Sequence, residues 1–269
     1  MKSNLYQTIS SKENPKFKNI SEMKNNKNIY FAEGIRIINE ILRENIRIDY
    51  LLFTEDSIKT TEINKIINSL KKSNSRLLCL KRSLFNKLAD TEEPQGIIAV
   101  AERKSLNIED LFKNIKQKSI FVVLDRIADP GNLGSIIRTC KAAGVAGLII
   151  SKGSASIYNP KVIRSTMGAI YGINFCDEVE IIACIKRLKE NNVTIITTDL
   201  NSSKNIYETK YNLPVCFVFG NEANGISINV LKLGDLSVKL PILGNIESLN
   251  VAVSTGIVLY DAINRFRLF

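Results

Sequence analysis

Residues 120–139 read IFVVLDRIADPGNLGSIIRT, and the rest of the architecture can be worked outward from them. Ile120 to Leu124 is an unbroken apolar run rich in β-branched residues, the pattern of a strand buried on both faces of a parallel sheet. The next ten residues, DRIADPGNLG, carry a Pro-Gly pair and read as a loop. Ser135 to Ala143 then reads as a helix that Ser135 caps, with Arg138 one turn in. Strand, tight loop and helix start form the opening of a β-α unit, and the free N–H groups of such a start can hold an anion. Taken alone, a G-x-x-G before a helix is common and has little specificity.

The pattern continues toward the C-terminus. Strands are expected at Leu148–Ile150, Thr194–Thr197, Val215–Phe219 and Leu236–Leu240, with helices at Val162–Ile170, Val179–Asn191 and Asn250–Phe266. Strands alternating with helices imply an α/β fold, a mostly parallel sheet with helices on both faces. Toward the N-terminus, EGIRIINEILR (33–43) has a helical stripe at Ile37, Ile38, Ile41 and Leu42. Ile48–Phe53, Arg76–Leu80 and Ile97–Ala101 read as strands, and Ile63–Leu70 and Leu84–Ala89 as helices. This first half is a smaller α/β unit. Charged residues without a strand signal fill the stretch from 102 to 118, so the expected division is a domain over 1–105, a linker over 106–118 and a second domain over 119–269.

Composition narrows the chemistry. The 269 residues contain no histidine, which excludes a Ser-His-Asp triad, a Cys-His dyad and any histidine-ligated metal site. Five cysteines with no C-x-x-C pair form neither a disulfide framework nor a zinc site, so no metal is expected. No apolar stretch approaches the roughly 20 residues of a membrane span, and the N-terminus lacks the apolar core of a signal peptide. A reducing cytoplasm is the expected setting, with no membrane partner.

The net charge of +10 points to a polyanion, nucleic acid first, although a lysine-rich chain can also be basic without binding anything. The excess is uneven. Residues 1–118 hold 22 Lys+Arg against 15 Asp+Glu, and residues 119–269 hold 15 against 12. Twelve of the 14 glycines lie in the second half. That asymmetry suits a gripping module followed by a catalytic one.

Two further loops lie at expected strand ends, where ligands of open α/β sheets sit. FGNEANGI (219–226) places Glu222 between Gly220 and Gly225, although a Gly-rich turn with a solvated carboxylate reads the same way. LPILGNIESLNVAVSTG (240–256) ends a strand and opens a helix that Ser248 or Asn250 would cap. Charge is nearly absent between Glu247 and Asp261, so one face of this helix is buried in the core or in a dimer interface.

The three loops, in this order and spacing, resemble the three motifs of the SpoU branch of the SPOUT methyltransferases. Asn132 and Arg138 match the first, GNEANG the second, and LPILGNIESLNVAVSTGI the third. The likeness runs through residues 120–269 and includes YNPKVIRSTMGAIYGINF (158–175). More loosely, ISSKENPKFK, FAEGIRIINEIL and EEPQGIIAVAER resemble the ribosomal-protein-like RNA-binding domain that precedes it in many members.

The resemblance implies a trefoil knot in the C-terminal sheet, which physical priors alone would reject. It implies transfer of a methyl group from S-adenosylmethionine to a ribose 2′-hydroxyl of structured RNA, ribosomal RNA ahead of transfer RNA, by a homodimer seamed along the helix from Asn250. Carried over by position, Gly220, Leu240 and Leu249 hold the cofactor, with Asn221, Ile242 and Gly244 beside them. Arg138 is the catalytic residue, either as general base or as a phosphate clamp. A guanidinium ordinarily stays protonated, so the first role needs a bound phosphate and tight geometry. Asn132 orients Arg138 or the ribose, Glu222 holds the first loop or anchors Asn132, and Ser248 and Asn250 shape the third loop. Lys161, Arg164 and Ser165 are candidates for substrate contacts, and the first two are equally read as plain surface charge. An RNA-binding assembly protein without activity, and a base methyltransferase, remain the competing expectations.

Overall fold

The computed structural model describes residues 6–26, 29–71, 73–102, 106–113 and 115–269. It divides into two compact units, Met1–Lys104 and Ser105–Phe269. The domain boundary expected at 105 falls on residues 103–105, outside the described residues.

Among the described residues the first unit is a five-stranded mixed sheet with four α-helices. In chain order these are β1 (Gln7–Ile9), α1 (Pro15–Met23), β2 (Ile29–Glu33), α2 (Ile35–Arg43), β3 (Ile48–Thr54), α3 (Thr61–Leu70), β4 (Arg76–Leu80), α4 (Arg82–Leu88) and β5 (Ile97–Glu102). The sheet order is β1-β4-β3-β5-β2, parallel across β1, β4 and β3 and antiparallel at β5. The stripe of α2 buries Ile37, Ile38 and Ile41 as its spacing requires.

The second unit contains α5 (Ile108–Phe112), β6 (Ile120–Asp125), α6 (Pro130–Ala142), β7 (Gly147–Ser151), α7 (Pro160–Thr166), β8 (Phe175–Val179), α8 (Ile181–Glu190), β9 (Thr194–Thr198), β10 (Val215–Gly220), α9 (Ile228–Leu231), β11 (Leu236–Val238) and α10 (Val251–Phe266). Its six strands run in the order β11-β9-β10-β6-β7-β8, and every pair is parallel. All six residues of β6 are buried. Phe121 and Val123 pack on α5 and α8 on one side, while α10 lies against β10 and α6 on the other. The chain steps outward from β6 through β7 to β8, then crosses to the far side of β10. The β6–β10 pair is therefore the switch point of the sheet, where open α/β folds bind ligands beyond the carboxyl ends.

Three elements depart from the sequence expectation. The α6 helix starts at Pro130, five residues before Ser135, because Asp129 caps it: its Oδ1 accepts the Asn132 amide at 2.7 Å, and proline needs no N–H at the first helical position. Gly131, Asn132 and Gly134 are thus helical, and Arg138 lies about two turns in. The stretch expected as a linker carries α5, whose Leu111 and Phe112 are buried in the core of the second unit. The helix over 160–166 is shorter than expected, since Met167 and Gly168 adopt left-handed φ of 52° and 91°. No helix among the described residues is long and apolar enough to cross a membrane.

Helices α6 and α7 pack closely at Gly134. A Cβ there would lie 1.8 Å from Ser165 Oγ and 3.0 Å from the Val162 carbonyl. Gly134→Ala should therefore destabilise the protein by about 1–3 kcal/mol through overpacking. In a thermal-denaturation double-mutant cycle its cost should shrink in a Ser165→Gly background. An equal cost in both backgrounds would show that this contact does not set the helix spacing.

Candidate active site

Strands β6 and β10 end side by side, with Asp125 opposite Gly220. The chain turns sharply after Gly220. Asn221 and Gly225 exchange two backbone hydrogen bonds of 3.0 and 2.9 Å, and Gly225 takes a left-handed φ of 63°. A Cβ on Gly220 would sit 2.2 Å from Gly225 C and Ile226 N. The glycine is thus required by this loop's own backbone, besides lining the cleft described below.

The turn aims Glu222 across to α6. Its Oε1 accepts from Asn132 Nδ2 at 2.9 Å and from the Asp129 amide at 3.2 Å, and its Oε2 accepts from the Ala128 amide at 3.1 Å. Asn132 Oδ1 in turn accepts from Asn250 Nδ2 at 2.8 Å. Asn250 caps α10, its Oδ1 accepting the amides of Ala252 and Val253 at 2.9 and 3.3 Å. One polar chain, Glu222–Asn132–Asn250, therefore ties all three loops together. Burial alone would raise the Glu222 pKa, but the hydrogen bonds from Asn132 and from backbone amides outweigh it and hold the carboxyl below its ordinary 4.5. Glu222 is thus ionised at neutral pH.

Beside this chain lies a cleft of about 480 Å³ at the carboxyl ends of β9, β10 and β11. Of the residues singled out from sequence, Gly220, Asn221, Leu240, Ile242 and Leu249 line it, as do Asn132, Glu222, Ser248 and Asn250. Its inner wall is apolar, with Ile206, Phe219, Val238 and Val258. Among the described residues the amides of Leu240, Ile242 and Leu249 have no hydrogen-bond acceptor. Free backbone groups beside an apolar wall fit a ligand with a flat heterocycle and hydrogen-bonding edges.

Other candidates are not brought to the cleft. Gly244 is exposed and does not line it. Arg138 is exposed on α6 with no side-chain partner among the described residues. Six residues at 100° each turn it about 240° away from Asn132, off the face that meets Glu222. Lys161 and Arg164 are exposed on α7, also unpaired among the described residues. Ser165 instead turns inward, donating to the carbonyls of Lys161 and Val162 at 3.0 Å. All five cysteines are buried, and burial pushes the thiols of Cys79 and Cys176 up to about 11.

Sequence reasoning missed Thr198 at the end of β9, Asp199 and Leu200 just after it, and Lys239 after β11, all of which line the cleft. The strand-end rule points to the first three, because Thr194–Thr197 reads as a strand.

Residues 119–260 match the SpoU rRNA Methylase family, and residues 14–99 match the MRM3-like substrate binding domain. Among curated proteins, the chain is 26% identical over 241 residues to the 23S rRNA (guanosine-2'-O-)-methyltransferase RlmB of Neisseria meningitidis, covering 89% of this chain and 95% of that one. It is 25% identical to RlmB of Ralstonia nicotianae, covering 86% and 94%. An AdoMet-bound rRNA methyltransferase from Sinorhizobium meliloti has the same fold, with a TM-score of 0.84 at 24% identity over 97% of this chain and 98% of that one. A crystal structure of an RNA 2'-O ribose methyltransferase aligns with a TM-score of 0.80 at 25% identity over 98% and 100%.

The depressed Glu222 pKa gives a signed expectation. The stability that Glu222 contributes is present above about pH 4.5 and is lost as pH falls through its lower folded value. Glu222→Gln should lower stability by about 0.5–1 kcal/mol at pH 7, a figure already reduced for solvent exposure. Thermal melts should show the gap between the two proteins closing below pH 4.5. A gap that persists unchanged to pH 3.5 would contradict this.

Proposed function

The chain belongs to the SpoU rRNA methylase family, and from that membership we propose that it methylates a ribose 2′-hydroxyl of ribosomal RNA with S-adenosylmethionine as donor. The observation that carries this reading is the Glu222–Asn132–Asn250 chain standing at the edge of a cleft lined by free amides. The donor supplies an electrophilic methyl group when bound. Leu240, Ile242 and Leu249 would hold it through backbone, with Gly220 and Asn221 at the strand end. Asn132, fixed from both sides, presents an amide to the ribose. Held geometry of this kind is worth several kcal/mol to a bimolecular transfer.

Arg138 would act from the exposed face of α6, meeting the substrate phosphate once RNA or a second copy of the chain covers that face. Lys161 and Arg164 extend the same basic surface along α7. Ribosomal RNA is favoured over transfer RNA because both the catalytic and the N-terminal units match, and the similar RlmB proteins are named for 23S rRNA across nearly their whole length.

Our reading also includes a homodimer, the trefoil knot of the family and a cytoplasmic setting. For the dimer the support is α10. It buries Thr255, Val258, Leu259 and Ala262, yet leaves Val253 and Tyr260 each 52% exposed. Leu243 and Ile246, in the loop just before it, are exposed as well. Light scattering at micromolar concentration should give a mass near twice the 30.1 kDa of the chain; a monomer would remove the dimer from the proposal.

Labelled S-adenosylmethionine should transfer its methyl group to unmodified 23S rRNA. The labelled linkage should resist alkali, because no free 2′-hydroxyl remains to attack the phosphate. Arg138→Ala should lower labelling by about a hundredfold or more while calorimetry shows the cofactor still bound. Cofactor binding without labelling of any RNA, or an alkali-labile labelled linkage, would overturn the reading.

A further inference from the structure

Arg126 follows directly on β6 and is not among the residues lining the cleft. Its φ of 59° is left-handed, a conformation that disfavours any side chain with a Cβ. Strain of this kind persists where the surroundings over-determine it, and it clusters at functional sites. Here the surroundings do so on three sides. The Arg126 amide donates to Ser151 Oγ at the end of β7 (2.7 Å), and its carbonyl accepts Asn221 Nδ2 from the β10 loop (2.8 Å). Its Nε donates to Asp125 Oδ1 at 2.9 Å.

Asp125 is only 2% exposed, and its other oxygen accepts the Ser227 amide at 2.7 Å. The buried carboxylate thus grips the guanidinium through Nε alone. Both Nη atoms have no partner among the described residues, and the side chain remains 42% exposed. Two and three residues further on, the amides of Ala128 and Asp129 are held by Glu222, which also holds Asn132. The fork of Arg126 is therefore fixed in the same rigid frame as the proposed ribose-orienting amide.

We propose that Arg126 is a substrate-binding residue whose two free Nη groups take a backbone phosphate of the RNA beside the target ribose, with Asp125 as its positioning residue. A guanidinium fork matches two phosphate oxygens, and a pre-oriented fork loses less freedom on binding. A residue needed only to neutralise Asp125 would not have to keep both Nη groups open at the carboxyl end of the sheet. This inference rests on the RNA-methylating reading above.

The test uses the full chain and 23S rRNA transcribed in vitro. Arg126→Gln keeps an N–H within reach of Asp125 but removes the charge, and Arg126→Lys keeps the charge. The wild type must label the transcript; failure there strikes the function reading and not Arg126. Given labelling, Arg126→Gln should weaken RNA binding several-fold. It should also flatten the plot of log affinity against log salt by about 0.7–0.9, the loss of one phosphate contact. Arg126→Lys should keep the wild-type slope, and both variants should bind S-adenosylmethionine within about twofold of wild type. A wild-type slope and affinity in Arg126→Gln would overturn the proposal. Equal losses of RNA and cofactor binding in both variants, with a lowered melting temperature, would do so too, by assigning Arg126 a structural role only.

Discussion

The parallel pairing of β6 with β10 brings two carboxylates to the same end of the sheet and sends them in opposite directions. Asp125, at the end of β6, reaches the Ser227 amide beyond the β10 loop. Glu222, in the β10 loop, reaches back to the amides of Ala128 and Asp129 and to Asn132 on α6. The Asn221 side chain adds a third crossing, donating to the Arg126 carbonyl. Neither loop can move without breaking hydrogen bonds to an ionised group, and such bonds are about twice as strong as neutral ones. The cleft wall and the α6 N-terminus are therefore built as one piece. Asn250 joins the third loop to it, since the side chain that caps α10 also holds Asn132.

This arrangement bears on the chemistry of a chain without histidine. Glu222 stands nearest to the role of a general base, yet it is poorly suited to it. Its oxygens already accept three N–H groups, and those bonds hold its pKa below the ordinary carboxylate value. An efficient base has a pKa near the working pH and a free lone pair aimed at the proton. With that pKa and most of its lone pairs already engaged, Glu222 fits the proposed part of holding Asn132 better than that of a base. In the proposed reaction the proton is left to Arg138 with a bound phosphate, or to solvent. A strongly electrophilic methyl donor makes either workable, because most of the advantage then comes from alignment rather than from deprotonation.

Much of this was legible in the sequence, and the failures have identifiable physical causes. The buried strands β6, β7, β9 and β10 announced themselves as short apolar runs, and the three loops fell at strand ends as open sheets require. The start of α6 was misplaced because D-P-G-N-L-G reads as a turn until Asp129 is recognised as a cap with proline behind it. That error also hid the position of Arg138, since a helix counted from Ser135 puts it one turn from the loop. The strands β1 and β8 are only three and five residues long, and β8 carries Asp177 and Glu178 within it, so neither shows a hydrophobic period. The segment with α5 looked like a linker because its two buried residues, Leu111 and Phe112, are adjacent and surrounded by charge.

The uneven charge of the chain takes on a clearer meaning beside this geometry. The proposed cofactor carries a sulfonium, which has no use for a basic cleft, and the charged residues lining this one are Asp199, Glu222, Glu247 and a single Lys239. A polyanionic substrate needs the reverse. Arg138 on α6 and Lys161 and Arg164 on α7, unpaired among the described residues, stand on two helices that pack directly against each other through Gly134 and Ser165. Acidic cleft and basic helices thus lie on different parts of one unit whose net charge is small. In the proposed reading the two charged ligands are separated by where each sign is placed, and Asn132, an uncharged side chain at the head of α6, borders the cleft.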